Sequence, residues 1–98
     1  MTREEAIARI KPHEGELRAG GMAALYLFGS TARNEANAQS DIDLMCELDP
    51  ARRIGLIAFA GMLLKMEELM GSQVDLVERQ SMRPRILARA ETDMVQVF

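Results

Sequence analysis

Two carboxylates one residue apart, Asp41 and Asp43, stand at the head of an apolar run that reads DIDLMCEL from 41 to 48. No other feature of the chain constrains its fold as much. In a strand successive side chains face opposite ways. Asp41 and Asp43 then share one face, about 7 Å apart along the backbone, while Ile42 and Leu44 point to the other. The run reads as a strand with one face toward a core and acids on the other. Carboxylates in apolar surroundings are costly unless something positive meets them, so the fold has to leave room for that partner.

Two further apolar runs read as strands. MAALYLF (22–28) follows a Gly20-Gly21 stop, and QVDLVE (73–78) alternates Val74 and Leu76 against Asp75 and Val77. MVQVF (94–98) reads as a short edge strand. Thr2 with Glu5 has the pattern of a capping box and opens a helix carrying Ile7 and Ile10 on one face. Pro12 interrupts it and starts a second short helix through Leu17. STARN (30–34) reads as one or two helical turns with Ser30 as N-cap. Pro50 is expected to open a long helix over 51–70, closed by Gly71, and Pro84 a last helix through Ala90. The order α, β, α, β, α, β, α, β predicts an α/β fold: a small mixed sheet flanked by helices. A chain of 98 residues has room for one core, so 1–98 is expected to form a single domain.

Twelve basic and fifteen acidic residues give a net charge of −3, which argues against a broad basic surface for nucleic acid. Cys46 is the only cysteine. A disulfide scaffold is excluded and a reducing compartment is expected. The N-terminal MTREEAIARI carries acids and lacks the apolar core of a signal peptide. The longest apolar run, IGLIAFAGMLL at 54–64, falls short of the roughly 20 residues a membrane helix needs. A soluble cytoplasmic protein without membrane association is expected.

If strand 73–78 neighbours strand 41–48, Asp75 joins Asp41 and Asp43 in one cleft. Three facing carboxylates repel. Two divalent cations, set roughly 3.5–4 Å apart in such sites, relieve that repulsion. Mg²⁺ suits the donors, since it takes oxygen ligands and completes its shell with substrate phosphates. Taken singly, each acid also reads as a solvent-facing strand residue. Gly29 and Ser30 stand ahead of Ser40 and Asp41, with Ser30 ten residues before Ser40. They end one strand and open a helix, a junction with unpaired N–H groups and a dipole suited to an anion. Glycine lets a phosphate come close to the backbone, and Ser30 can serve as phosphate donor, as N-cap, or as both. The Walker pattern is missing, so this is not a P-loop. The intervening loop is expected to space the phosphate end of the site from the metal end.

The stretch LYLFGSTARNEANAQSDIDLMCEL followed by VDLVE resembles the minimal nucleotidyltransferases of the DNA polymerase β superfamily, closely over residues 22–78. The resemblance implies a polymerase β-like nucleotidyltransferase fold. It also implies metal-dependent transfer of a nucleoside monophosphate, with ATP the family's usual donor and pyrophosphate leaving. Asp41 and Asp43 would be the two metal-binding acids of a two-Mg²⁺ site. Asp75 would be a third ligand that activates the attacking hydroxyl. Gly29, Ser30, Arg33 and Ser40 would bind the nucleotide. Arg33 has a second reading, as a brace for the loop through an acid such as Glu35. Asn34 departs from the family pattern, which commonly has glycine there; asparagine is the side chain most at ease with positive φ.

Larger relatives carry a further domain for the acceptor, and none is expected here. The family is often encoded beside a HEPN-domain RNase toxin and acts as its antitoxin, attaching AMP to a toxin tyrosine. The resemblance therefore implies a HEPN partner and a hetero-oligomer, with no direct nucleic-acid contact. Two alternatives stay open: an antitoxin that neutralises by complex formation alone, and a different acceptor such as a small alcohol or a nucleic-acid end. From 54 to 64 almost every residue is apolar, more than an amphipathic stripe requires. Either part of that helix faces another protein, or the line Met62, Met66 and Met70 packs in the core and Ala58, Ala60 and Gly61 are small exposed residues. Arg79, Arg83, Arg85 and Arg89 form either a solvated face or a contact with ATP, RNA or an acidic partner.

Overall fold

In the computed structural model, which describes residues 1–98, the chain opens with helix α1 (Arg3–Ile10). Thr2 caps it, accepting from the Glu5 N–H at 3.1 Å. Pro12 sits in a 3-10 turn over Lys11–His13, which leads into α2 (Glu14–Ala19). Strand β1 (Met22–Phe28) runs directly into a four-residue helix, α3 (Gly29–Ala32). There follow β2 (Ile42–Leu48), α4 (Leu56–Met70), β3 (Val74–Glu78), α5 (Pro84–Glu91) and β4 (Val95–Gln96). The element order is the one read from the sequence.

The strands form one sheet in the order β3-β2-β1-β4. β1 is antiparallel to β2 and to β4, whereas β2 and β3 run parallel. A parallel pair needs a crossover, and α4 provides it. Leu25, Leu27, Leu44 and Leu76 form one face, buried with Ile10 of α1, Leu17 of α2 and Met66 and Met70 of α4. Ala24, Tyr26 and Met45 form the other, packed by Met82, Leu87 and Met94 from around α5. Cys46 is fully buried; burial first, then Glu78, pushes its thiol up to about 12, so it packs as a neutral side chain.

Three boundaries differ from the expectation. Helix α4 starts at Leu56 and not next to Pro50. Asp49 Oδ1 accepts the Ala51 N–H at 2.9 Å and its carbonyl accepts the Arg52 N–H at 3.1 Å, so Pro50 serves a turn. Proline fits a turn and a first helical turn by the same fixed φ. Helix α3 starts at Gly29 with Phe28 at the N-cap, which leaves Ser30 inside the first turn and not capping it. β4 is only Val95–Gln96, although Val97 and Phe98 still donate to the Leu25 carbonyl and are buried. The line Met62, Met66 and Met70 faces the core.

Asn34 has φ 58° and holds the turn after α3. It also ties that turn to the start of the chain, because its Oδ1 accepts the Arg3 N–H at 2.8 Å. Asn34→Gly should keep the turn and lose the tie, at about 0.5–1.5 kcal/mol for one hydrogen bond. Asn34→Ala should lose the tie and add about 1–2 kcal/mol of left-handed strain. Urea midpoints ordered wild type, glycine, alanine are expected; an alanine variant as stable as the glycine variant would contradict this account.

Candidate active site

Register brings the motif together. Pairing of β1 with β2 sets Phe28 opposite Asp43, and pairing of β2 with β3 sets Asp75 opposite Asp43 from the other side. Alternation puts Asp43 and Asp75 on the α5 face, with Met45 and Val77. Asp41 stands one residue ahead of the strand and is exposed, as is Asp75; Asp43 is half-buried.

Gly29 lies against Asp43. A Cβ on Gly29 would collide with the Asp43 carboxylate, 3.1 Å from its Cγ. The backbone there also has φ +73°, a conformation side chains rarely adopt. Both constraints demand glycine. They correct the expectation that the loop spaces the two ends of the site. Residues 30–42 separate Gly29 from Asp43 along the chain, but the β1–β2 pairing sets one on the other.

The loop is held by its own contacts. Glu35 N–H donates to the Ser30 carbonyl at 2.8 Å. Ser40 Oγ accepts the Asn37 N–H at 3.0 Å and donates to Asn37 Oδ1 at 3.3 Å. Arg33 pairs with Glu35 at 3.0 Å, the bracing read from the sequence, and also with Asp93 at 2.6 Å. Asp93 was missed. It lies sixty residues on, just after α5, and no local pattern marks it.

A cavity of about 380 Å³ opens beside Gly29, lined also by Phe28, Arg33, Arg89, Thr92 and Asp93. That volume falls within the roughly 300–1,000 Å³ of small-molecule sites. Ser40 is not among its lining residues; it borders a separate 260 Å³ cavity with Thr31 and Ile42. Arg79 is taken up by ion pairs with Glu47 and Glu91, whereas Arg83, Arg85 and Arg89 make none. Arg89 is thus the cation of the Gly29 cavity without an acid partner.

Burial, then the carboxylates of Asp75 and Asp41, raise the Asp43 pKa above its ordinary value, and Arg33 opposes them. None of Asp41, Asp43 and Asp75 has an ion-pair partner. Asp43 and Asp75 share a face, but with Asp41 they do not close as a ready-made cage of three ligands. An oxygen-only donor set of unpaired carboxylates fits a hard cation such as Mg²⁺.

A mixed sheet with an acidic pair in register and a glycine turn packed on it defines a nucleotidyl-transfer fold. The nucleotidyltransferase domain family matches residues 10–96, and the chain belongs to that family. The protein adenylyltransferase MntA of Thermococcus cleftensis is 31% identical over 98 residues, covering 99% of this chain and 97% of the relative. A solved structure described as a minimal nucleotidyltransferase superposes with a TM-score of 0.81 at 29% identity, covering 97% and 95% of the two chains. Two toxin–antitoxin complexes share the fold at 23% identity. One contains AMP-PNP (TM-score 0.71, covering 100% of this chain and 73% of that one). The other holds a tri-AMPylated HEPN toxin of Shewanella oneidensis with its MNT antitoxin (0.68, 99% and 72%).

The raised pKa has a stability consequence. Between the unfolded value of 3.8 and the higher folded value, the folded state binds more proton. Stability contributed by that proton is therefore present below 3.8 and lost as pH rises through the folded pKa. Asp43→Asn should raise the melting temperature at about pH 7 and lose that advantage near pH 3, where Asp43 is itself neutral. Thermal melts at both pH values test this; a destabilised variant at pH 7 would refute it.

Proposed function

We propose that this chain, acting as a single domain over 1–98, is a protein adenylyltransferase that moves AMP from ATP to a hydroxyl of a partner protein. The partner is best read as a HEPN toxin with a tyrosine acceptor, and the chain as its antitoxin. The observation that carries this is Asp43, held between Gly29 and Asp75 by the register of three strands. The adenylyltransferase relative matched over its full length and the AMPylated toxin in a complex of the same fold support it.

In this reading the Gly29 backbone admits the triphosphate against Asp43, and Ser30 donates to a phosphate oxygen. Arg89 meets the phosphate charge, because Arg33 is committed to Glu35 and Asp93. Asp41, Asp43 and Asp75 would hold two Mg²⁺ ions, which when bound neutralise the triphosphate and orient the leaving pyrophosphate. Asp75, the exposed acid of the in-register pair, takes the proton of the acceptor hydroxyl. That oxygen bonds to the α-phosphorus, the bond to the bridging oxygen breaks, and pyrophosphate departs. Ser40 acts through the loop by fixing its turn. The reaction belongs to the cytoplasm, which supplies ATP and keeps Cys46 a thiol.

Labelled ATP, Mg²⁺ and the cognate HEPN protein provide the test. Wild type should label the partner. Asp75→Asn should lower the rate about 10²–10⁴-fold, the usual scale for a lost general base. Asp43→Ala should lose labelling. An unlabelled partner, with Asp43→Ala indistinguishable from wild type, would defeat the reading. It would then favour neutralisation by complex formation alone, for which the exposed apolar residues Leu56 and Ile57 speak. In that case an Asp41→Ala/Asp43→Ala chain should still protect cells.

A further inference from the structure

Helix α4 is apolar on both sides of its first half. Met62, Met66 and Met70 face the core, yet Leu56 is 84%, Ile57 90% and Leu64 66% exposed. Residues 56–64 contain no charge at all. A helix apolar all round is normally covered on both sides, and here the second cover is missing from the chain's own fold. Next to this surface runs a groove of about 560 Å³, lined among others by Ile54, Leu56, Phe59, Val77, Met82 and Ile86. Ile86 adds a further exposed apolar side chain, at 52%.

We propose that this surface, the outer side of α4 and its groove to α5, is where the acceptor protein docks, and that the acceptor presents an apolar face flanked by carboxylates. The proposal deepens the adenylyltransferase reading and rests on it. Two observations select the occupant. The first is position. Val77 is two residues beyond Asp75 on the same face of β3, about 7 Å along the strand. β3 is an edge strand, so a protein seated in the groove covers that edge and can bring a hydroxyl to Asp75. The second is charge. Arg83 lines the groove, and Arg53 and Arg85 adjoin its lining residues Ile54 and Ile86. None of the three arginines has an ion pair, in a chain whose net charge is −3. Glu78 is the one acid in the groove lining. Unpaired cations around an apolar centre suit an acidic rim on the partner.

Binding of the purified cognate HEPN protein, measured by calorimetry without ATP, tests docking apart from chemistry. Leu56→Asp/Ile57→Asp and Arg83→Glu/Arg85→Glu each alter exposed side chains. Each should weaken binding at least about tenfold. Both should bind an ATP analogue with Mg²⁺ as wild type does, and both should label the partner poorly. The acidic pair of the second variant should weaken binding less as salt rises, because it acts through screened charge. Unchanged affinity in both variants overturns the proposal. It is also overturned if the chain self-associates and the aspartates only dissolve that dimer, since the occupant is then a second copy. Failure of the adenylyltransferase reading looks different: wild type would bind through the groove, lose binding in these variants, and never transfer label.

Discussion

The contact on which the site depends is that of a glycine backbone against a half-buried carboxylate. Asp43 sits in the second strand of the sheet with Phe28 paired on one side and Asp75 on the other. Gly29 then turns with positive φ and closes over its carboxylate. A side chain at position 29 would have to displace Asp43 and bear a strained backbone at the same time. The strand register thereby fixes the distance between the place where a phosphate can approach and the place where acids accumulate. A sheet defines such a distance better than a loop does, because slipping it by one residue would turn the whole apolar face of β2 outward.

Holding the acid there works against the fold. Burial and two neighbouring carboxylates disfavour its charge, and the core face beneath it offsets the cost. Leu44, Leu25 and Leu27 are fully buried on the opposite side of the same strands. Arg33 gives partial relief, but its own charge is divided between Glu35 and Asp93. That division ties the α3 turn to the segment after α5, so the wall of the Gly29 cavity is braced from both ends of the chain. Asn34 extends the brace to α1 through the Arg3 N–H. A residue that replaces glycine in the family pattern thus keeps the turn and adds a tie.

Much of this was legible in sequence because it rests on local rules. The period of two in IDL and VDLV placed Asp43 and Asp75 opposite the apolar face, and the Gly-Gly, Gly71 and Pro84 signals bounded their elements. What escaped depends on pairing across the chain. Nothing near Arg33 announces Asp93, and nothing near Gly29 announces its contact with Asp43, since sheet register decides both. Pro50 misled because turns and helix starts use the same φ, and the Asp49 side chain decided for the turn. Ser30 misled in the same way: a serine after glycine at a strand end fits an N-cap, but the helix began one residue earlier.

Helix α4 combines a core stripe with large apolar residues that its own fold leaves uncovered. The methionine line is core, as a stripe at helical spacing suggests, and the residues off that line are not merely small. Leu56, Ile57 and Leu64 are large and exposed. Core packing uses only the stripe that faces the sheet; it gives no reason for leucine and isoleucine on the outside. Charged residues return at Lys65, Glu67 and Glu68, in the C-terminal half of α4. Charge is thus confined to the C-terminal half of α4, while the half that lines the groove carries only apolar and small side chains.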